Sequence, residues 1–223
     1  MADPMTLDGP RQEPEGQPAR RLVVFLHGLG ANGADLIALA PYMAPHLPET
    51  AFVAPDAPLP CDMAPMGLQW FSMQRRDRES LHFGAEDARG ALDAFLDEEM
   101  TRYGLSEADV ALIGFSQGTM MALQTALRRE RPVAAVVGYS GMLIDPDRLE
   151  AEIESRPPVL LIHGDADEVV PFEAMEAARV ALASVDVDVQ TFSRPDLGHS
   201  IDAEGLKAAI LFLREKFGLD AQA

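Results

Sequence analysis

Cysteine is nearly absent from this 223-residue chain: Cys61 stands alone. A single thiol cannot close an internal disulfide, so the fold does not depend on an oxidising compartment. Basic residues are also scarce, with 18 Lys and Arg against 36 Asp and Glu and a formal charge of −18. That balance argues against nucleic acid and against an anionic membrane surface, because both need a basic face. No apolar run approaches the roughly 18 residues needed to cross a bilayer. The first 20 residues, MADPMTLDGPRQEPEGQPAR, have neither the apolar core nor the small-residue cleavage site of a secretory signal. The expected setting is cytoplasmic.

What is present is an ordinary apolar share of 48%, enough at this length for one sizeable core. Residues 1–19 are rich in Pro, Gly and charge and read as a flexible or surface-draped arm. Residues 20–223 read as one domain. Short apolar runs punctuate it at Leu22–Leu26, Ala51–Ala54, Val110–Ile113, Val133–Val137, Val159–Ile162 and Val185–Phe192. All but the last are nearly continuous, as suits strands covered on both faces. In the last, Val185, Val187 and Val189 alternate with Asp186, Asp188 and Gln190, which predicts a strand toward a sheet edge. Helical spacing joins Ala88, Leu92, Phe95 and Leu96, and again Leu206, Ile210, Leu213 and Phe217. Alternating strands and helices imply an α/β fold, a mostly parallel sheet with helices on both faces. Residues 56–84 interrupt the alternation and read as a long irregular insertion.

The strongest local signal is Gly114-Phe115-Ser116-Gln117-Gly118, placed after an apolar run and before a helical segment. That is the context of a nucleophile elbow, a sharp strand-to-helix turn that holds a serine hydroxyl in the open. Serine needs a base oriented by an acid, and in elbow enzymes the chain order is Ser, acid, His. Of five histidines only His163 and His199 follow Ser116. His163 precedes every acid of its loop, which leaves His199 as base. The acid then comes from His163-Gly164-Asp165-Ala166-Asp167-Glu168, where spacing alone does not choose between Asp165 and Asp167.

An oxyanion hole needs two donors. The backbone N–H of Gln117, at the start of a helix, supplies one. The glycine-rich turn His27-Gly28-Leu29-Gly30-Ala31-Asn32-Gly33 is the source of the second. This turn is no phosphate loop, since neither the Lys-Ser/Thr signature nor G-x-G-x-x-G spacing is met. His27 lies before Ser116 and reads as a hydrogen-bonded turn residue. No metal-ligand spacing is present, and no cofactor is called for. Cys61 lies in the insertion, which argues against a cysteine nucleophile.

Taken together, FLHGLGANGADL, GFSQG, HGDADEVVP and GHSI resemble the phospholipase/carboxylesterase family of α/β-hydrolases, which includes acyl-protein thioesterases. The resemblance runs over about residues 20–217. It implies the α/β-hydrolase fold without a large lid domain, with Ser116 as nucleophile, Asp167 rather than Asp165 as acid and His199 as base. It also implies that the Leu29 and Gln117 backbones form the oxyanion hole and that Trp70 stands beside an acyl pocket. Phe71, Met66 and Met73 are candidates for the same apolar wall, against the alternative that they simply pack the insertion onto the domain. The short polar segment before Arg21 suggests that early edge strands of longer relatives are missing or irregular. The basic stretch Gln74–Arg78 reads as a solvated loop, with steering of an anionic substrate as its alternative.

The function this implies is a serine carboxylesterase acting on short- to medium-chain acyl esters through an acyl-enzyme. A thioesterase or lysophospholipase for longer chains is the runner-up. A non-catalytic binder on the same scaffold is a third reading, disfavoured because no triad member is missing. The partner expected is a small acyl ester, with no nucleic acid and no stable membrane association; a homodimer is compatible with an open apolar groove.

Overall fold

The computed structural model describes residues 6–222. Among these described residues, nine strands and seven α-helices follow one another along the chain. In order they are β1 (Arg11–Gln12), β2 (Arg21–Leu26), α1 (Gly33–Ile37), α2 (Ala40–Met43), β3 (Thr50–Val53), β4 (Leu59–Pro60), β5 (Leu68–Gln69) and α3 (Arg78–Tyr103). The second half continues with β6 (Val110–Phe115), α4 (Gln117–Ala126), β7 (Ala135–Tyr139), α5 (Leu149–Glu152), β8 (Val159–Gly164), α6 (Glu173–Ser184), β9 (Val189–Arg194) and α7 (Ala203–Lys216). Seven strands form one sheet in the order β1-β3-β2-β6-β7-β8-β9, parallel throughout except for β1.

Side chains alternate across a strand, so each apolar run serves two cores. Leu22, Val24 and Leu26 of β2 pack on one face with Leu92, Phe95 and Leu96 of α3, Leu123 of α4 and Leu182 of α6. Val23 and Phe25 face the other side, against Leu36, Met43 and the α7 residues Ile210 and Leu213. The helical pattern at Ala88, Leu92, Phe95 and Leu96 is thus the buried stripe of α3. Asp77 caps that helix by accepting from Ser80 N, and Gly104, at φ 67°, ends it in a left-handed turn.

Three expectations are corrected. Residues 7–12 belong to the domain rather than to a flexible arm. Leu7 is buried, Ala54 N donates to Pro10 O at 3.1 Å, and Asp56 N donates to Asp8 O at 2.8 Å. A Cβ on Gly9 would lie 2.0 Å from Ala54 O, so only glycine lets the segment lie this close to the end of β3. An antiparallel edge strand is therefore present, two residues long. Second, the run at Val185–Phe192 becomes a strand only from Val189. Val185 closes α6, Asp186 adopts φ 62°, and Val187 N donates back to Leu182 O at 3.1 Å, so the first half of the alternation is a buried turn. β9 does lie at the sheet edge. Third, residues 56–84 are irregular only in part, since β4 and β5 form a small antiparallel ladder and α3 begins at Arg78.

Strand order reverses direction between β2 and β6, which lie side by side with Leu26 opposite Gly114. At such a switch point the loops leaving the carboxyl ends diverge and open a crevice. Those loops are the His27–Gly33 turn and the Ser116 turn.

Candidate active site

β6 delivers Ser116 into a turn that its backbone shows to be strained. Ser116 sits at φ 53°, ψ −115°, in the positive-φ region that non-glycine residues rarely enter. Its N–H donates to Tyr139 O at 2.9 Å, which ties the turn to the end of β7. The flanking glycines are required by contact distance. A Cβ on Gly114 would come within 2.4 Å of the Gly118 backbone, and one on Gly118 within 1.8 Å of Leu26 O. Thr119 Oγ1 lies 2.9 Å from Gly114 O and 2.8 Å from Tyr139 O, locking the helix start to both strands.

Asp167 follows β8 and His199 lies in the loop between β9 and α7. His199 Nδ1 is 2.7 Å from Asp167 Oδ2. The other carboxylate oxygen, Oδ1, accepts from Val169 N at 2.8 Å and Val170 N at 2.9 Å. Burial pushes the Asp167 carboxyl up, but the His199 hydrogen bond and the two backbone donors outweigh it and hold the group below the ordinary carboxylate value. Asp165 does something else: exposed, it accepts from Asp196 N at 2.7 Å and clasps the loop that carries His199. Among the described residues no hydrogen bond joins the Ser116 hydroxyl to His199. Phe115, the neighbour of Ser116 in the chain, has its ring centroid 4.9 Å from that of the His199 imidazole.

The glycine-rich turn packs directly on the Ser116 turn. A Cβ on Gly28 would lie 3.3 Å from Ser116 Cβ. Among the described residues neither the Leu29 nor the Gln117 N–H has a hydrogen-bond acceptor, so both donors remain available. His27 is fully buried beneath the turn, with Nδ1 2.8 Å from Gly28 O and Nε2 accepting from Ala57 N at 3.0 Å. Burial pushes its pKa down, as an imidazole that must accept a hydrogen bond requires. Trp70 Nε1 donates to His27 O at 3.0 Å.

The four apolar candidates of the insertion differ in their burial. Trp70 and Phe71 are each 1% exposed and belong to the core. They hold the insertion down because two rings of this size gain more from full burial than from lining an open groove. Met66 is 80% exposed, and Met73 is half-buried against the core edge. The apolar cavity on this side of the sheet encloses about 230 Å³ and is lined by Arg78, Leu81, Met142, Leu143, Ile144 and Ala174, among others. Only its first two residues come from the insertion or the start of α3. The basic stretch is largely neutralised, Arg75 by Asp77 and Arg78 by Asp147.

Two polar side chains in this neighbourhood escaped the sequence reading. Gln117 is buried with its side-chain amide bonded to the Trp70 and Phe71 backbones, and His163 is buried beside Asp167. Each carried a signal: a polar residue opening an otherwise buried helix, and a histidine ending an apolar strand. Among the described residues no three His, Cys, Asp or Glu side chains converge as a metal site would need.

Residues 8–216, a span that contains every residue of this site, match the family model described as Phospholipase/Carboxylesterase. The chain belongs to that family. As a phospholipase/carboxylesterase family member it is a carboxylic ester hydrolase. It is similar to Esterase YpfH of Escherichia coli (strain K12), 31% identical over 211 residues, with 91% of this chain and 85% of that protein covered. It also resembles Acyl-protein thioesterase 1 of Saccharomyces cerevisiae, 30% identical with 74% of this chain and 78% of that protein covered. Among solved structures, esterase PE8 is 45% identical at a TM-score of 0.90, covering 94% of this chain and 99% of that one. Within the described residues no helix is long and apolar enough to cross a membrane.

Proposed function

We propose that Ser116, His199 and Asp167 act as a catalytic triad that cleaves short- to medium-chain carboxylic esters through an acyl-enzyme. The observation that carries this reading is the 2.7 Å hydrogen bond from His199 to Asp167, set against the strained turn that exposes Ser116. Asp167 fixes the imidazole with Nδ1–H toward the carboxylate, so that Nε2 is free to take the Ser116 proton. Attack on the carbonyl then develops an oxyanion for the Leu29 and Gln117 N–H groups. His199 returns its proton to the leaving alcohol, the acyl group stays on Ser116 Oγ, and water repeats the sequence to release the acid.

Short chains are favoured by the size of the apolar cavity. It adjoins the nucleophile turn through Gly141, where a Cβ would come within 2.9 Å of Ser116 O, and Met142, the next residue, lines it. Its 230 Å³ falls below the roughly 300–1,000 Å³ that encloses a drug-sized ligand. The charge of −18 favours a soluble ester over a lipid at an anionic surface.

The test is hydrolysis of p-nitrophenyl butyrate by the wild-type chain and by Ser116→Ala, followed by a panel of esters and thioesters of increasing acyl length. Loss of turnover in Ser116→Ala with a preference for short oxygen esters is expected. Wild-type rates in Ser116→Ala would remove the nucleophile assignment, and a preference for long thioesters would make the enzyme a thioesterase.

A further inference from the structure

His163 has no part in the proton transfers above, yet it touches the same carboxylate. It stands in β8 opposite Ser193 of β9, is 2% exposed, and packs edge-on against the Phe172 ring at 6.0 Å. Its Nε2 lies 3.0 Å from Val170 O and 3.3 Å from Asp167 Oδ2. Both neighbours are acceptors, so Nε2 must carry a hydrogen, whatever the charge of the ring. The titratable groups that face it are Asp167 and, across that carboxylate, His199.

The Asp167 side chain is fully shielded from solvent, so protein donors alone must satisfy its oxygens. Oδ1 takes the N–H groups of Val169 and Val170, while Oδ2 takes His199 Nδ1 and faces His163 Nε2. The contacts close on themselves, because Val170 donates to Asp167 through its N–H and accepts from His163 through its carbonyl. A buried carboxylate with one lone pair left empty gains by turning to find a donor, and any turn of Asp167 carries Oδ2 away from His199.

We infer that His163 is a positioning residue of the reaction, holding Asp167 and the Val170 carbonyl so that Oδ2 stays aimed at His199. This rests on the triad reading of the preceding section. His163 makes no contact with substrate in this scheme; it acts through Asp167, as groups beyond the ligands orient a metal-bound histidine.

The experiment compares wild type, His163→Leu and His163→Gln by ester kinetics normalised to sites titrated with a fluorophosphonate, together with NMR of the histidine ring nitrogens and protons. Labelling of wild-type Ser116 decides the triad reading separately, before the variants are compared. In His163→Leu, kcat per titrated site should fall about 10- to 100-fold with KM within about threefold. The downfield His199 Nδ1 proton should move upfield. His163→Gln, whose amide can present N–H near the same point, should recover most of the rate and the proton shift. A residue that serves folding alone would lower the number of titrated sites and leave kcat per site and the proton unchanged; that result overturns the inference. Where His163→Leu does not fold, wild-type NMR and His163→Gln still decide, since a His163 ring without hydrogen on Nε2 is incompatible with it.

Discussion

Gln117, the residue after Ser116, grips the backbone of Trp70 and Phe71 with its side chain. Its Oε1 accepts Trp70 N–H at 3.0 Å while its Nε2 donates to Phe71 O at 2.8 Å, so the insertion and the Ser116 turn are held as one piece. Gln117→Leu keeps the volume and leaves both backbone groups buried without partners. At about 1–3 kcal/mol for each such group, unfolding free energy should drop by about 2–6 kcal/mol. Gln117→Glu should fall between, because a carboxylate still accepts from Trp70 but cannot donate to Phe71. Urea denaturation of the three proteins measures this, and equal midpoints and slopes would show that the grip contributes nothing.

Contact distance makes Gly118 irreplaceable and leaves Gly90 free. Adding a Cβ at Gly118 drives it to 1.8 Å from Leu26 O, and the obstacle is backbone at the end of β2, inside the sheet. Gly118→Ala must push β2 from α4 and should cost at least about 3 kcal/mol, comparable to severe overpacking. Gly90 lies exposed within α3, and an added methyl there would meet nothing within 4 Å. Gly90→Ala should instead add about 0.5–1 kcal/mol through helix propensity. Thermal unfolding of both variants checks the opposite signs.

How legible these features are depends on whether they are local. The Ser116 turn is written in five adjacent residues, and the pairing of His199 with a loop acid follows from chain order and strand position. The central strands are legible because burial on both faces leaves nearly unbroken apolar runs. β1 leaves no such trace: Arg11 and Gln12 are polar, and their place is set by backbone hydrogen bonds and by the missing Cβ of Gly9. Val185 and Val187 alternate just as strand residues do, although they are buried in a turn, because burial and not conformation sets that pattern. Trp70 and Phe71 show a related limit, since an aromatic pair in a loop has the same composition whether it lines a groove or fills a core. The partners of Gln117 and His163 are long-range or depend on side-chain direction, which spacing does not encode.

His27 makes stability depend on pH near neutrality. Burial depresses its pKa below the ordinary 6.5, so the unfolded chain takes up a proton there before the folded one does. A depressed folded value means stability that is complete above about pH 6.5 and declines as pH falls toward the folded value. The slope contributed by this one group approaches about 1.4 kcal/mol per pH unit at most, because a tenfold difference in proton affinity between the two states is worth that much. His27→Gln should be less stable than wild type at pH 7.5, having lost the Ala57 hydrogen bond, and the gap should narrow by pH 5. Chemical denaturation across that range tests it; a gap independent of pH would mean that His27 titrates alike in both states.

Asp167 makes stability depend on pH in a lower window. Its folded pKa lies below the ordinary 3.8 because the His199 and backbone hydrogen bonds exceed the penalty of burial. The stabilisation is therefore present above about pH 4 and is lost as pH falls through the folded value, where protonation removes the acceptor for His199. Asp167→Asn keeps the shape and can still accept from Val169 and Val170 at one oxygen. Its amide N–H₂, however, meets the Nδ1–H of His199, and two donors cannot share a hydrogen bond. The imidazole then settles with its hydrogen on Nε2, where it cannot take the Ser116 proton. Turnover should drop by as much as about 10⁴-fold at pH 7.5, with KM little changed, the size of effect such a tautomer error produces in a serine triad. In parallel, the stability difference between wild type and Asp167→Asn should hold above about pH 4 and shrink only as pH falls below it, toward the depressed folded value of the wild-type carboxylate. A variant that keeps its rate would show that His199 finds its tautomer without Asp167, because no other change in Asp167→Asn removes an acceptor from that ring.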